Sequence, residues 1–416
     1  MEYSFGYAKT KMNFHINDKN FIGKLLPNKV IIDLKGADEV RRALDNPIGS
    51  KKLRNIVNEG EKIAIITSDI TRPMPSKIVL PIIIDEITKA GVKDKDIIII
   101  FAVGSHRAHT EEEKRYIAGN EVYDRIKCID SNSMEYLHFG NTKAGTPIDI
   151  CEAVANANRR ICLGNIEYHY FAGYSGGAKA IMPGVSTHAA IQSNHSFMVE
   201  EASKAGNLDT NPVRIDIEEV EKYVPIDFIL NVVLNEKKEI IKAVAGNHIK
   251  AHRDGCKFLD SFYKIKIEEK ADIVITTPGG YPKDLNLYQA QKSIDNAKHA
   301  VKKGGIMILA AACNEGLGGK IFEEWMTGFE KSGDMIIEIK KNFQLGGHKA
   351  AAIAMVLENS KIFLVSEMEP AFVRSIFMEP FSDIQSAVNQ AIEELGEDSK
   401  ILLMPYGGST LPVVDF

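Results

Sequence analysis

The sequence carries neither a disulfide framework nor a structural zinc motif. Its five cysteines (Cys128, Cys151, Cys162, Cys256 and Cys313) are odd in number, scattered, and never spaced C-x-x-C. That pattern argues for a reducing compartment and for thiols packed as small apolar side chains. A surplus of positive charge is also missing. Against 56 Asp and Glu stand 51 Lys and Arg, a formal net charge of -5, so no basic face for nucleic acid is expected. No apolar run reaches the roughly 18 residues of a membrane-spanning helix. The opening stretch MEYSFGYAKTKMNFHIND has no apolar core of a signal peptide. These absences lead us to expect a soluble, cytoplasmic protein without nucleic-acid or membrane partners. Three common chemistries lose support as well. No G-x-G-x-x-G follows a strand, and neither H-E-x-x-H nor G-x-S-x-G occurs, which disfavours a simple NAD dehydrogenase, a zincin and a serine hydrolase.

What is present is a long chain of short β-branched runs. At 416 residues, 44% of them hydrophobic, two domains are expected. The runs are 29–34, 62–68, 96–104, 159–166, 228–234, 271–277, 305–312, 361–366 and 400–405. Several are continuously apolar rather than alternating, as strands buried on both faces of a parallel sheet are. Helical patterns at 76–91, 187–206 and 284–305 lie between them, the last with lysine-rich final turns and a glycine stop. Thr110 with Glu113 reads as a capping box, and Asn211-Pro212 as an N-cap with a proline at the first helical position. The alternation predicts an α/β fold of mainly parallel sheets flanked by helices. We expect an N-terminal domain over 1–268 and a C-terminal domain over 271–399. The charged stretch KIKIEEKAD separates them, and the tail, about 400–416, is expected to pack back on the first domain.

Four polar, glycine-studded segments follow predicted strands, where open α/β sheets bind ligands. In Ser68-Asp69-Ile70-Thr71-Arg72-Pro73 the guanidinium of Arg72 could clamp a carboxylate, or the segment could be a surface turn with a local ion pair. In Gly104-Ser105-His106-Arg107-Ala108-His109, His106 is placed as a general base. The H-x-x-H spacing to His109 could also hold a metal, and a solvated or capping histidine is the plainer alternative. In EYHYFAGYSGGAK (167–179), Gly173, Gly176 and Gly177 would let the backbone approach a ligand. This is no phosphate loop, because Ala178 and Ala180 stand where that motif needs Gly and Ser or Thr. Lys179 could be a covalent attachment point or a solvated lysine. Downstream, His188 and His195 are seven residues apart on one helical pattern, and either could ligate a metal or be a polar helix residue. In Gly279-Gly280-Tyr281-Pro282, running into a helix, Tyr288, Gln289 and Lys292 share a face that could hold an anion or be an exposed first turn.

Taken together, SDITRP, GSHRAH, EYHYFAGYSGGAKAIMPGVS with IQSNHS, and GGYPKDLNLYQAQK resemble the lactate racemase family of nickel-pincer-nucleotide enzymes, over nearly the whole chain. The resemblance implies a two-domain α/β protein with its active site in the interdomain cleft. It implies racemisation or epimerisation of a small, lactate-like 2-hydroxy acid. Lys179 would tether the nickel-pincer nucleotide (pyridinium-3-thioamide-5-thiocarboxylic acid mononucleotide) and His195 would ligate the nickel. Asp69, Gly176 and Gly177 would lie at the cofactor. His106 and His169 would be the paired acid/bases, and Arg72, Tyr288, Gln289 and Lys292 would bind substrate. Cofactor-synthesis enzymes are the implied partners. Two other classes remain open at this point: a metal-dependent dehydrogenase or hydrolase without the pincer cofactor, and a non-catalytic nucleotide sensor.

Overall fold

The computed structural model describes residues 1–414. Twelve strands build two six-stranded sheets. In chain order they are β1 (Phe21–Lys24), β2 (Ile63–Ser68), β3 (Ile97–Ala102), β4 (Lys127–Asp130), β5 (Arg159–Asn165), β6 (Phe228–Leu234), β7 (Ile240–Gly246), β8 (Ala271–Thr276), β9 (Val301–Ala310), β10 (Lys361–Val365), β11 (Glu379–Phe381) and β12 (Ile401–Met404). The chain divides into two units: residues 30–261, and residues 1–29 together with those from 262 onward.

In the first unit the sheet order is β7-β6-β5-β2-β3-β4. Every pair is parallel except β6 with β7. The isoleucine-rich strands are apolar throughout because helices cover them. Ile63, Ile65 and Ile99 lie in one core with Val79, Leu80, Ile83 and Ile87 of the helix Ser76–Thr88. After β2 the chain winds outward through β3 and β4, then returns to the other side of β2 as β5. The order therefore reverses between β2 and β5, the position where doubly wound sheets open a binding crevice.

The second sheet, β11-β10-β9-β8-β12-β1, is parallel throughout. Here the winding runs from β8 to β11 and then returns to β12 on the other side of β8. Ile273, Ile275, Ile306, Ile308, Ile401 and Leu403 form its core with Phe5 and Phe14 of an N-terminal hairpin, Glu2–Tyr7 and Thr10–His15, and with Ile16 just after it.

Several expectations are corrected. The first 29 residues belong with the later half of the chain, not with the expected 1–268 domain. β1 pairs with β12, and the Asn20 amide donates to the carbonyls of Glu397 and Ser399 at 2.7 and 2.9 Å. The tail after 400 does not return to the first domain, because β12 fills the place between β8 and β1. KVIIDL at 29–34 forms no strand; Ile31 is 87% exposed there. The helix expected over 284–305 stops at Ala297, and Val301–Gly305 enters β9 instead, where Val301 pairs with Ala271. The helix expected over 187–206 is shortened to His188–Ser196. Thr110 and Glu113 do form a capping box, and Asn211 caps the helix Pro212–Glu219. Among the described residues no helix is long and apolar enough to cross a membrane.

Candidate active site

Three of the four segments leave the C-terminal ends of the adjacent strands β5, β2 and β3, on both sides of the order reversal. In the turn after β2, Asp69 is buried, and its Oδ1 accepts the Thr71 amide at 2.6 Å. Its Oδ2 lies 3.1 Å from Nδ1 of His106, which follows β3. Burial alone would raise the Asp69 carboxyl, but the His106 ring, the Thr71 amide and the Arg72 charge hold it down at about 2. The carboxylate can only accept, so His106 Nδ1 donates, and in the neutral ring Nε2 presents a lone pair. Arg72 is exposed, and with Asp69, Lys77 and Tyr116 it lines a cavity of about 70 Å³. A wider hollow of about 580 Å³ in the other unit is lined by Glu315, Glu323 and Glu324, with Lys320 its only basic residue. Its carboxylates would repel an anionic substrate.

After β5 the glycine loop brings His169 and Lys179, and the helix His188–Ser196 brings His195, around one aromatic ring. Phe171 is buried, and its ring centroid lies 4.5 Å from that of His169 and 4.8 Å from that of His195, both edge-on. The Lys179 ammonium lies 6.0 Å from the same centroid. The Ala172 amide donates to His169 Nδ1 at 3.2 Å, so a neutral His169 carries its proton on Nε2. His106 and His169 thus hold their protons on opposite nitrogens.

His195 is oriented through a chain of buried polar groups. Asn194 donates its amide to Asp216 Oδ2 at 2.7 Å, which turns Asn194 Oδ1 toward His195 Nδ1, 3.0 Å away. Nδ1 therefore carries the proton, and Nε2 keeps the lone pair that a metal ligand needs. His188, seven residues earlier, is exposed. His109 does not complete an H-x-x-H metal pair. Its Nδ1 meets Asp130 at 2.6 Å and its Nε2 accepts the Ile70 amide at 3.0 Å, so both nitrogens are engaged. Among the described residues no group of three or more His, Cys, Asp or Glu could hold a metal.

The loop itself is fixed from below. Arg214, fully buried, donates to the carbonyls of Ala172, Tyr174 and Gly176. His252 Nε2 donates to the Ser175 carbonyl at 2.8 Å, and its Nδ1 accepts from Arg253. Burial and the Arg214 charge hold the His252 ring well below the ordinary histidine range. The Gly177 amide donates to Asn231 Oδ1 at 2.8 Å. A Cβ at Gly176 would lie 2.8 Å from Asn231 Oδ1, and one at Gly177 would lie 3.0 Å from His252. Both glycines also have positive φ. Packing and backbone conformation therefore already require these glycines. Sequence reasoning missed Arg214, Asp216, Asn231 and His252, since they join the site only through tertiary contacts. Phe171, inside the 167–179 segment, and Asn194, inside the IQSNHS motif, were the two partners open to discovery.

In the unit built around β8, Tyr288 and Gln289 stand in the first turn of the helix Leu287–Ala297, which Asn286 caps through the Gln289 amide. The Lys349 ammonium sits 3.7 Å over the Tyr288 ring and donates to the Tyr288 carbonyl. Gln289 is exposed and Lys292 half-buried.

Comparison with known proteins shows the family. A family model of the lactate racemase N-terminal domain matches residues 7–206, and one of the lactate racemase C-terminal domain matches residues 266–411. The chain belongs to the lactate racemase family. It is 35% identical to the lactate racemase of Thermoanaerobacterium thermosaccharolyticum over 97% of each chain. It is 31% identical to that of Lactiplantibacillus plantarum, over 96% of this chain and 97% of the relative. The solved structure of the T. thermosaccharolyticum lactate racemase apoprotein matches with a TM-score of 0.90 at 34% identity, covering 99% of this chain and 100% of that one. A Thermotoga maritima protein, 18% identical, shares the fold alone, with a TM-score of 0.66 over 92% of this chain and 100% of its own. As a member of the lactate racemase family, the chain is an isomerase, a racemase with an α/β fold.

Proposed function

We propose that this racemase inverts the hydroxyl-bearing carbon of a small 2-hydroxy acid of the lactate class, with His106 and His169 as its acid/base pair. The convergence of His169, Lys179 and His195 on the Phe171 ring carries the reading. The donor chemistry fits a tethered nickel-pincer nucleotide: a primary amine for attachment, and one histidine with Nε2 held as acceptor for the metal. Lys179 would hold the nucleotide and His195 the nickel, with Asp69, Gly176 and Gly177 alongside. When bound, such a group supplies a reversible hydride acceptor, which puts a planar 2-keto acid within reach without a carbanion.

The residues of the chain do the rest. His106, with its Nε2 lone pair, takes the hydroxyl proton of one enantiomer, and the Asp69 carboxylate stabilises the imidazolium that results. His169 is the acid/base for the mirror-image substrate, a role for which its ring must leave the Nε2–H tautomer that the Ala172 amide favours and exchange between the imidazole with a bare Nε2 and the imidazolium. Arg72 and Lys292 offer cations for the substrate carboxylate, and Tyr288 and Gln289 offer further polar contacts. Cofactor-synthesis enzymes are the partners this reading requires.

The test is intact-mass and nickel analysis of protein produced together with cofactor-synthesis enzymes, followed by a panel of single-enantiomer 2-hydroxy acids. An adduct on Lys179, about one nickel per chain, and racemisation lost in Lys179→Ala are expected. A bare Lys179 in active enzyme sinks the tether. A dehydrogenase or hydrolase would release an oxidised or cleaved product instead of the opposite enantiomer. A sensor would survive His106→Ala and His169→Ala.

A further inference from the structure

We infer that His109 and Asp130 are a positioning pair that holds the Asp69–His106 dyad in its working arrangement. The inference rests on the reading of His106 as a proton acceptor and assigns a task to two residues that the reaction itself does not touch.

Both side chains are buried, at 1% and 3% exposure. Asp130 ends β4 and receives two bonds from one residue: the His109 ring Nδ1–H at 2.6 Å and the His109 backbone amide at 2.9 Å. That leaves His109 Nε2 as an acceptor, and the Ile70 amide fills it at 3.0 Å. The ring must then be neutral with its proton on Nδ1, because a proton on Nε2 would face a second donor. Phe101 packs edge-on against the ring at 5.5 Å and closes it off.

The consequence lies one residue away. The turn after β2 and the loop after β3 are joined twice: by Ile70 to His109, and by Asp69 to His106. Both ties are part-buried, but the His109 ring is 1% exposed and the His106 ring 31%. Fixing the Ile70 amide fixes the Asp69 carbonyl and carboxylate beside it, and the Arg72 amide, which bonds the Asp69 carbonyl at 3.2 Å. Without the His109 acceptor, the turn can rotate and the His106 ring loses the partner that selects its tautomer.

The experiment compares loaded enzyme carrying His109→Ala, His109→Gln, Asp130→Asn and His106→Ala. It measures kcat and KM in both directions, and the ring nitrogen shifts of ¹⁵N-labelled histidines. Wild type should show His106 and His109 with the proton on Nδ1. His109→Ala should lower kcat on the order of 10- to 100-fold, as expected for a displaced catalytic group, and should turn His106 into a mixture of tautomers. His109→Gln, which carries a donor and an acceptor side by side, should recover most of both. A folded His109→Ala with wild-type kcat and an unmixed His106 overturns the pairing. If His109→Ala does not fold, Asp130→Asn decides on the same two readouts. Activity surviving in His106→Ala would remove the base assignment, while the nitrogen shifts would still show whether the pair orders the dyad.

Discussion

The imidazole of His195 packs edge-on against the ring of Phe171, with 4.8 Å between centroids and the planes at 69°. The same ring meets His169 at 4.5 Å and 86°. One buried aromatic side chain therefore backs both the proposed metal ligand and one proposed acid/base, beside the Asn194 and Ala172 hydrogen bonds that fix their nitrogens. Phe171→Ala should cost about 3 kcal/mol of stability through the cavity it leaves and lower kcat for both enantiomers. Phe171→Leu should fall between it and wild type. Urea denaturation together with racemisation assays checks this. An alanine variant with normal kcat would show that the two imidazoles are held by other contacts.

The Asp69 carboxylate makes stability depend on pH with a definite sign. Its folded value of about 2 is below the unfolded one, so its contribution is complete above about pH 4 and is lost as the pH falls toward 2. A depression of that size corresponds to roughly 2 kcal/mol. Asp69→Asn should therefore be destabilised relative to wild type at pH 6, with the gap narrowing on acidification. Unfolding midpoints in urea at pH 6, 4 and 3 measure it. A gap that stays constant across the series would mean that the carboxylate is not held down.

The strands at 63–68, 97–102 and 271–276 were legible because an uninterrupted β-branched run bounded by turn residues has few other uses. KVIIDL at 29–34 carries the same local signal, yet no neighbouring strand receives it and Ile31 stays exposed. Local pattern cannot report whether a partner exists. The lysines at 302 and 303 read as the end of a helix, but pairing of Val301 with Ala271 draws that stretch into β9. At the site, His106, His169, Lys179 and His195 were identified by residue type and motif. Arg214, Asn231 and His252 lie 38 to 77 residues from the loop groups they bond. Their contribution follows from sheet order and helix placement, which a linear pattern does not encode. The place of the tail was misjudged for the same reason: nothing local in ILLM says which strand it will join.

The five cysteines should be chemically quiet in the native protein. All are free, four are buried and Cys128 is half-buried. Burial pushes the thiols of Cys128, Cys256 and Cys313 up to about 12 and raises those of Cys151 and Cys162. Thiolate, the reactive form, is then scarce at pH 8. Ellman's reagent should consume less than one equivalent over minutes with native protein and five after denaturation. A fast native phase would reveal a thiol in a more polar setting than its surroundings here imply.

Arg214 offers the most direct test of how the lysine-bearing loop is held. Its guanidinium is wholly buried, yet it is matched to three carbonyls of one loop, at Ala172, Tyr174 and Gly176, and to Glu218 at 3.8 Å. Removing it costs each of those carbonyls a buried donor, although the Tyr174 and Lys179 amides still reach the Ala172 and Gly176 carbonyls at 2.9 and 3.4 Å, while Glu218 keeps its pair with Arg253. Arg214→Met should therefore cost about 3 kcal/mol, and the loop should open to protease. Arg214→Lys should rescue little, since one ammonium cannot reach three divergent carbonyls. Limited proteolysis read by mass spectrometry should place new cuts between residues 170 and 180 in both variants. A loop that resists cleavage as well as wild type would mean that Asn231 and His252 suffice to hold it, and that the arginine contributes only bulk.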